Sequence, residues 1–153
     1  VTMAVVEHEA EQFMFAPDVQ GPMSNHTLEL IKAAEPMVIM LGGPPFYLGG
    51  FRVDMAQLEK GLRNLESIVQ TVPVVILEHH ALRDESWKQK ISEIYLKASA
   101  AEHSIMTAAE YAGSENLFLE SRRKQLYRDH PPSDEFKQWM KTLNNKKIAK
   151  PPI

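Results

Sequence analysis

There is no cysteine among the 153 residues. That absence excludes disulfides, thiolate metal sites and a cysteine nucleophile together. It fits a cytoplasmic protein. Long apolar runs are missing too. No stretch approaches the ~20 residues of a membrane helix, and no secretory signal pattern opens the chain. No membrane partner is therefore expected. An excess of positive charge is also absent. Lys and Arg number 17 against 20 Asp and Glu, for a net charge of -3. No basic field marks the whole domain as a nucleic-acid binder. What is present is an ordinary globular composition, 44% hydrophobic and 24% charged. The length suits one domain with a real core.

The chain enters a strand-like run at once, Val1-Thr2-Met3-Ala4-Val5-Val6. Such a start points to a fragment, with a mature chain freed of its leader as the alternative. Residues 2–7 and 12–16 read as two β-runs joined by a hairpin turn over His8-Glu9-Ala10-Glu11. Ser24 caps a helix with Leu28, Leu30 and Ile31 as its stripe, and Pro36 ends it. A strand over residues 37–41 follows. Asp54 caps a long helix to about Gln70, carrying Met55, Leu58, Leu62, Leu65, Ile68 and Val69 at helical spacing. Residues 74–77 form a fourth strand. Asp84 is read as the cap of a helix with Trp87, Ile91, Ile94 and Tyr95 on its apolar face. Further helices are expected over residues 107–111, 116–127 and 133–143. This is an α/β pattern with four strands. Residues 1–143 are read as one domain and residues 144–153 as a basic flexible tail. Helices on one face of the sheet leave the other face in need of a cover.

Four places carry candidate chemistry. Asp18 follows the second strand, before Gln20-Gly21-Pro22. A carboxylate there binds a cation or acts as a base, or it satisfies nearby loop N–H groups. His79 and His80 close the apolar run Val74-Val75-Ile76-Leu77-Glu78. On an extended segment adjacent side chains point to opposite sides, so one imidazole would face a site and the other the core. Glu78 and Asp84 are candidate partners for the second imidazole nitrogen, and Arg83 stands beside them. The loop from Gly42 to Gly50 offers either a shaped active-site wall or a plain connector. It lacks the endings of a P-loop, and Pro44 and Pro45 remove two N–H donors. The clusters Arg122-Arg123-Lys124 with Arg128, and Lys146-Lys147 with Lys150, read as solvated faces or as a nucleic-acid contact.

The runs Phe15-Ala16-Pro17-Asp18-Val19-Gln20-Gly21-Pro22, Leu41-Gly42-Gly43-Pro44-Pro45-Phe46-Tyr47-Leu48 and Ile76-Leu77-Glu78-His79-His80-Ala81-Leu82-Arg83-Asp84 stand in that order. Met106-Thr107-Ala108-Ala109-Glu110-Tyr111 and Leu119-Glu120-Ser121-Arg122-Arg123-Lys124-Gln125-Leu126-Tyr127 follow. Together they resemble a family of archaeal, uncharacterised metallo-β-lactamase-superfamily hydrolases. The resemblance implies the C-terminal half of a four-layer αββα sandwich. It implies one or two divalent metals, usually zinc, and a metal-bound hydroxide that attacks an ester or phosphoester. Asp18 then matches the bridging aspartate and His79 the final histidine ligand. His80, Glu78, Arg83 and Asp84 stand around them as second-layer or substrate groups. The superfamily's His-x-His-x-Asp-His cluster is absent, and none of His8, His26, His103 or His130 stands in one.

The expectation is therefore part of a metal-dependent hydrolase, inactive and weak in metal binding by itself. The missing half of the same protein, a second copy, or the chain's own C-terminal helices would cover the bare sheet face. A non-enzymatic α/β binding or scaffold domain, and a nucleic-acid-processing protein, are the alternatives.

Overall fold

The structure, a computed structural model, describes residues 2–142. The expected tail at residues 144–153, with Lys146, Lys147 and Lys150, lies outside the described residues, as do Val1 and Leu143. The chain forms two compact units, one ending at Ser121 and the other starting at Arg122.

In the first unit β1 (Ala4–His8) and β2 (Glu11–Ala16) form a hairpin. Its turn is only Glu9 and Ala10, with φ of 50° and 70°. Two consecutive positive φ values give the twist that suits right-twisted strands. Strands β3 (Val38–Leu41), β4 (Val74–Leu77) and β5 (Ser104–Thr107) join β2 in parallel. The mixed sheet has the order β1-β2-β3-β4-β5. The α/β reading holds, with one strand more than the four expected. Ser104-Ile105-Met106-Thr107 is too short to show a period, and the helix signal after it dominates. Thr107 closes that strand and caps α5 (Ala108–Tyr111) through a capping box with Glu110.

Helices α1 (Asn25–Ala34) and α2 (Met55–Val69) have the caps foreseen, Ser24 and Asp54. The next helix needs correction. It splits into α3 (Trp87–Lys90) and α4 (Ser92–Ala100) about Ile91. Asp84 does not cap it. Its carboxylate accepts bonds from Ser86 and Lys90 instead. The helix expected over residues 116–127 begins only at Arg123. Before it, Asn116 bonds Thr107 and Glu110, and Phe118 adopts a φ of 44°. Neither feature suits a helix interior. The second unit holds α6 (Arg123–Asp129) and α7 (Asp134–Thr142), separated by Pro131 and Pro132. Ser133 accepts from Phe136 N–H at the start of α7.

Burial alternates along β3, β5 and the second half of β2. Met14, Ala16, Ile39, Leu41, Val75, Leu77 and Ile105 form one core with Ile31 of α1, Leu65 and Ile68 of α2, and Trp87, Ile91 and Ile94. The opposite row starts from Val6 and Phe13 in β1 and β2, and Phe15, Met40, Ile76 and Met106 share a register there. Of these, Ile76 is buried, whereas Phe15 is 40% and Val6 61% exposed. One sheet face is thus packed under helices, and the other meets solvent at its β1–β2 edge, at Val6 and Phe15.

Candidate metal centre

The carboxyl ends of parallel strands share one edge, and loops leaving that edge gather side chains in a crevice. Here β2 delivers Asp18, β3 delivers Gly42 and Gly43, and β4 delivers Glu78, His79 and His80. The two later segments are tied by backbone bonds, Glu78 N–H to Leu41 O and Ala81 N–H to Gly42 O, both 2.9 Å. Gly42 lies so close to the Asp18 loop that a Cβ there would sit 2.0 Å from Pro17 O and 2.9 Å from His80 Cδ2. The glycines of this loop therefore serve close approach of three chain segments.

Asp18, His79 and His80 each turn one ligand atom into a common space, all within 4.8 Å of one another. His79 Nε2 lies 3.4 Å and His80 Nε2 3.7 Å from Asp18 Oδ1. The expected opposition of the two histidines is corrected. The strand ends at Leu77, the chain turns at once, and the rings lie 4.2 Å apart on the same side. Glu78 Oε2 sits 2.5 Å from His79 Nδ1. Of the other expected residues, Asp84 is engaged with Ser86 and Lys90, away from the pair. Arg83 donates to the Tyr47 hydroxyl at 2.8 Å and pairs with Glu120 at 3.6 Å.

Tyr47 is the residue that sequence reasoning missed. Its hydroxyl lies 3.2 Å from His80 Nδ1. It sits in a loop read only as a wall, and no spacing rule connects positions 47 and 80. His80 is 7% exposed. Burial, then the neighbouring His79 and Arg83, hold its pKa below the ordinary 6.5, against the pull of the Asp18 and Glu78 carboxylates. Its surroundings thus favour the neutral imidazole.

Beside the cluster opens a cavity of about 460 Å³ lined by Asp18, Val19, Met23, Ser24, Thr27 and His80. Its rim is built in. Gly21 (φ 118°) packs against Gly61, where a Cβ would meet Gly61 Cα at 2.8 Å. The buried Asn64 donates to Pro22 O at 2.9 Å. No described helix is long and apolar enough to cross a membrane.

No family model and no solved structure matches the chain. It is similar to archaeal proteins whose name, UPF0282 protein, states no activity. The Aeropyrum pernix protein is 37% identical over 133 residues, 84% of this chain and 45% of that protein. The Korarchaeum cryptofilum protein is 32% identical over 130 residues, 84% and 44% of the two chains. The Methanopyrus kandleri protein is 36% identical over 121 residues, 79% and 40%. The chain thus spans less than half the length of the curated archaeal relatives it matches.

Proposed function

We propose that this chain contributes part of the metal centre of a metal-dependent hydrolase of the metallo-β-lactamase type. The observation that carries the reading is the pair Asp18 and His79. A carboxylate can only accept a hydrogen bond. Glu78 therefore holds the His79 proton on Nδ1, and the Nε2 lone pair faces Asp18 Oδ1 at 3.4 Å. Two acceptors pointed at each other call for a cation between them. An imidazole steadied through its second nitrogen by a carboxylate is the usual support of a metal-ligating histidine. The donor set fits zinc or another divalent ion.

Asp18 and His79 would hold a divalent ion, which would supply an acidified water and stabilise negative charge on an ester or phosphoester oxygen. Glu78 would fix the His79 ring, and the cavity beside His80 would receive the substrate. A catalytic zinc site uses three protein ligands, so further ligands come from outside this chain. The bare sheet face, with Val6 and Phe15 exposed, is where the remainder of a longer protein, or a second copy, packs. That cover makes the second sheet of an αββα sandwich.

Zinc titration of the chain by calorimetry tests the reading. Weak uptake that Asp18→Ala and His79→Ala each abolish is expected. Uptake unchanged in both variants sinks it.

A further inference from the structure

We infer that Tyr47, held by Arg83, is a positioning residue that fixes His80 as a hydrogen-bond donor to substrate rather than as a metal ligand. The inference rests on the metal reading of Asp18 and His79 and divides the two adjacent histidines between different tasks.

The argument is one of donors and acceptors. A guanidinium has N–H donors and no acceptor. Arg83 therefore donates to the Tyr47 oxygen, at 2.8 Å, and also lies 5.3 Å from the centre of the phenol ring. With its oxygen accepting from Arg83, the phenol turns its single proton to the next acceptor, His80 Nδ1 at 3.2 Å. A cationic donor at one end of such a chain strengthens the next bond. A neutral imidazole that accepts at Nδ1 carries its proton on Nε2. That N–H has no lone pair to give a metal. It lies 3.7 Å from Asp18 Oδ1, too long for a hydrogen bond, and His80 is one of the residues lining the cavity. An oxygen of an ester or phosphoester placed there would accept from it, next to an ion held by Asp18 and His79. A preorganised donor at such a position stabilises developing negative charge. His79 has the opposite arrangement, because its Nδ1 faces the Glu78 carboxylate. The two neighbours are thus opposite tautomers, set by a carboxylate on one side and a phenol on the other.

The tautomers can be read directly by long-range ¹H–¹⁵N spectra of the histidine side chains in the labelled chain, without metal, at a pH where both rings are neutral. Signals are assigned by their loss in His79→Gln and His80→Gln. The expected result is Nδ1–H for His79 and Nε2–H for His80. Tyr47→Phe should move His80 toward a mixture of tautomers and leave His79 unchanged. If Tyr47→Phe loses the dispersed spectrum of a folded protein, Arg83→Gln replaces it and should shift His80 in the same direction. An Nδ1–H form of His80 in the wild type, or a His80 tautomer indifferent to the variant that folds, overturns the assignment. Adding zinc separates the two readings. Zinc should perturb His79 and spare the Nε2–H signal of His80. Loss of that signal to zinc overturns the donor role. Correct tautomers with no response of His79 to zinc would leave Tyr47 in its role and refute the metal reading alone.

Discussion

Glu78 shows how a single side chain sets the chemistry of the next. Its carboxylate lies 2.5 Å from His79 Nδ1 and, being only an acceptor, favours a proton on that nitrogen. Removing the acceptor in Glu78→Ala should weaken zinc binding about 10–100-fold, measured by calorimetric competition, as for other partners of metal-bound histidines. Gly42 acts by what it lacks. Gly42→Ala places a methyl group 2.0 Å from Pro17 O. It should cost on the order of 1–3 kcal/mol in urea unfolding and weaken zinc uptake as well, because the Asp18 loop must move. Asn64 is the third case. Asn64→Ala leaves the Pro22 carbonyl without its buried donor, at about 1–3 kcal/mol. Its effect should appear in the denaturation midpoint. An unchanged midpoint would mean that the loop is held by the Gly21–Gly61 contact alone.

Among the elements, the turn from Ala81 into α3 carries a pH-dependent contribution to stability. Burial raises the Asp84 carboxyl, but bonds from Lys90 and Ser86 outweigh it and hold its pKa below the ordinary 3.8. A carboxyl whose pKa is lower in the folded chain than in the unfolded one stabilises the fold fully above the unfolded value. That stability disappears as pH falls from about 3.8 through the lower, folded value. Denaturation midpoints across this window should therefore fall less steeply in Asp84→Asn than in the wild type. Parallel curves would show that the Lys90 contact contributes nothing. Elements with strong local signals matched expectation here: Ser24 and Asp54 as caps, the 3.6-residue stripe of α2, and the strands β2, β3 and β4. The failures have different causes. β5 carries only two apolar residues, between Ser104 and Thr107, and Asn116 is held by side-chain bonds to Thr107 and Glu110, nine and six residues back. Propensity and period do not register such side-chain pairing.

In the whole molecule, the face of the sheet that bears Val6 and Phe15 is the feature with the largest energetic consequence. Apolar burial is worth ~25 cal/mol per Å², so an uncovered face of several hundred Å² leaves several kcal/mol unrealised. Sedimentation equilibrium of the isolated chain should show self-association, weakened by Phe15→Lys. A monomer at all concentrations with this face open to water would contradict the argument. Less than half of the length of the archaeal relatives is spanned here. A protein extended to their full length should lose the association and gain zinc affinity together.

The sequence by itself determined the α/β character, the caps Ser24 and Asp54, most of the buried stripe of α2, and the short roster from which the site is drawn. These follow from period, propensity and side-chain chemistry, which act over a few residues. It also left Asp18, His79 and His80 as a set of suitable donors without a geometry. Only the tertiary structure decided that the two histidines share one side, that Tyr47 reaches His80, and that Gly42 is glycine because three segments meet there. Those facts depend on parallel strands ending at a common edge. The distances across that edge arise between positions 18, 47 and 80, which local order along the chain does not relate.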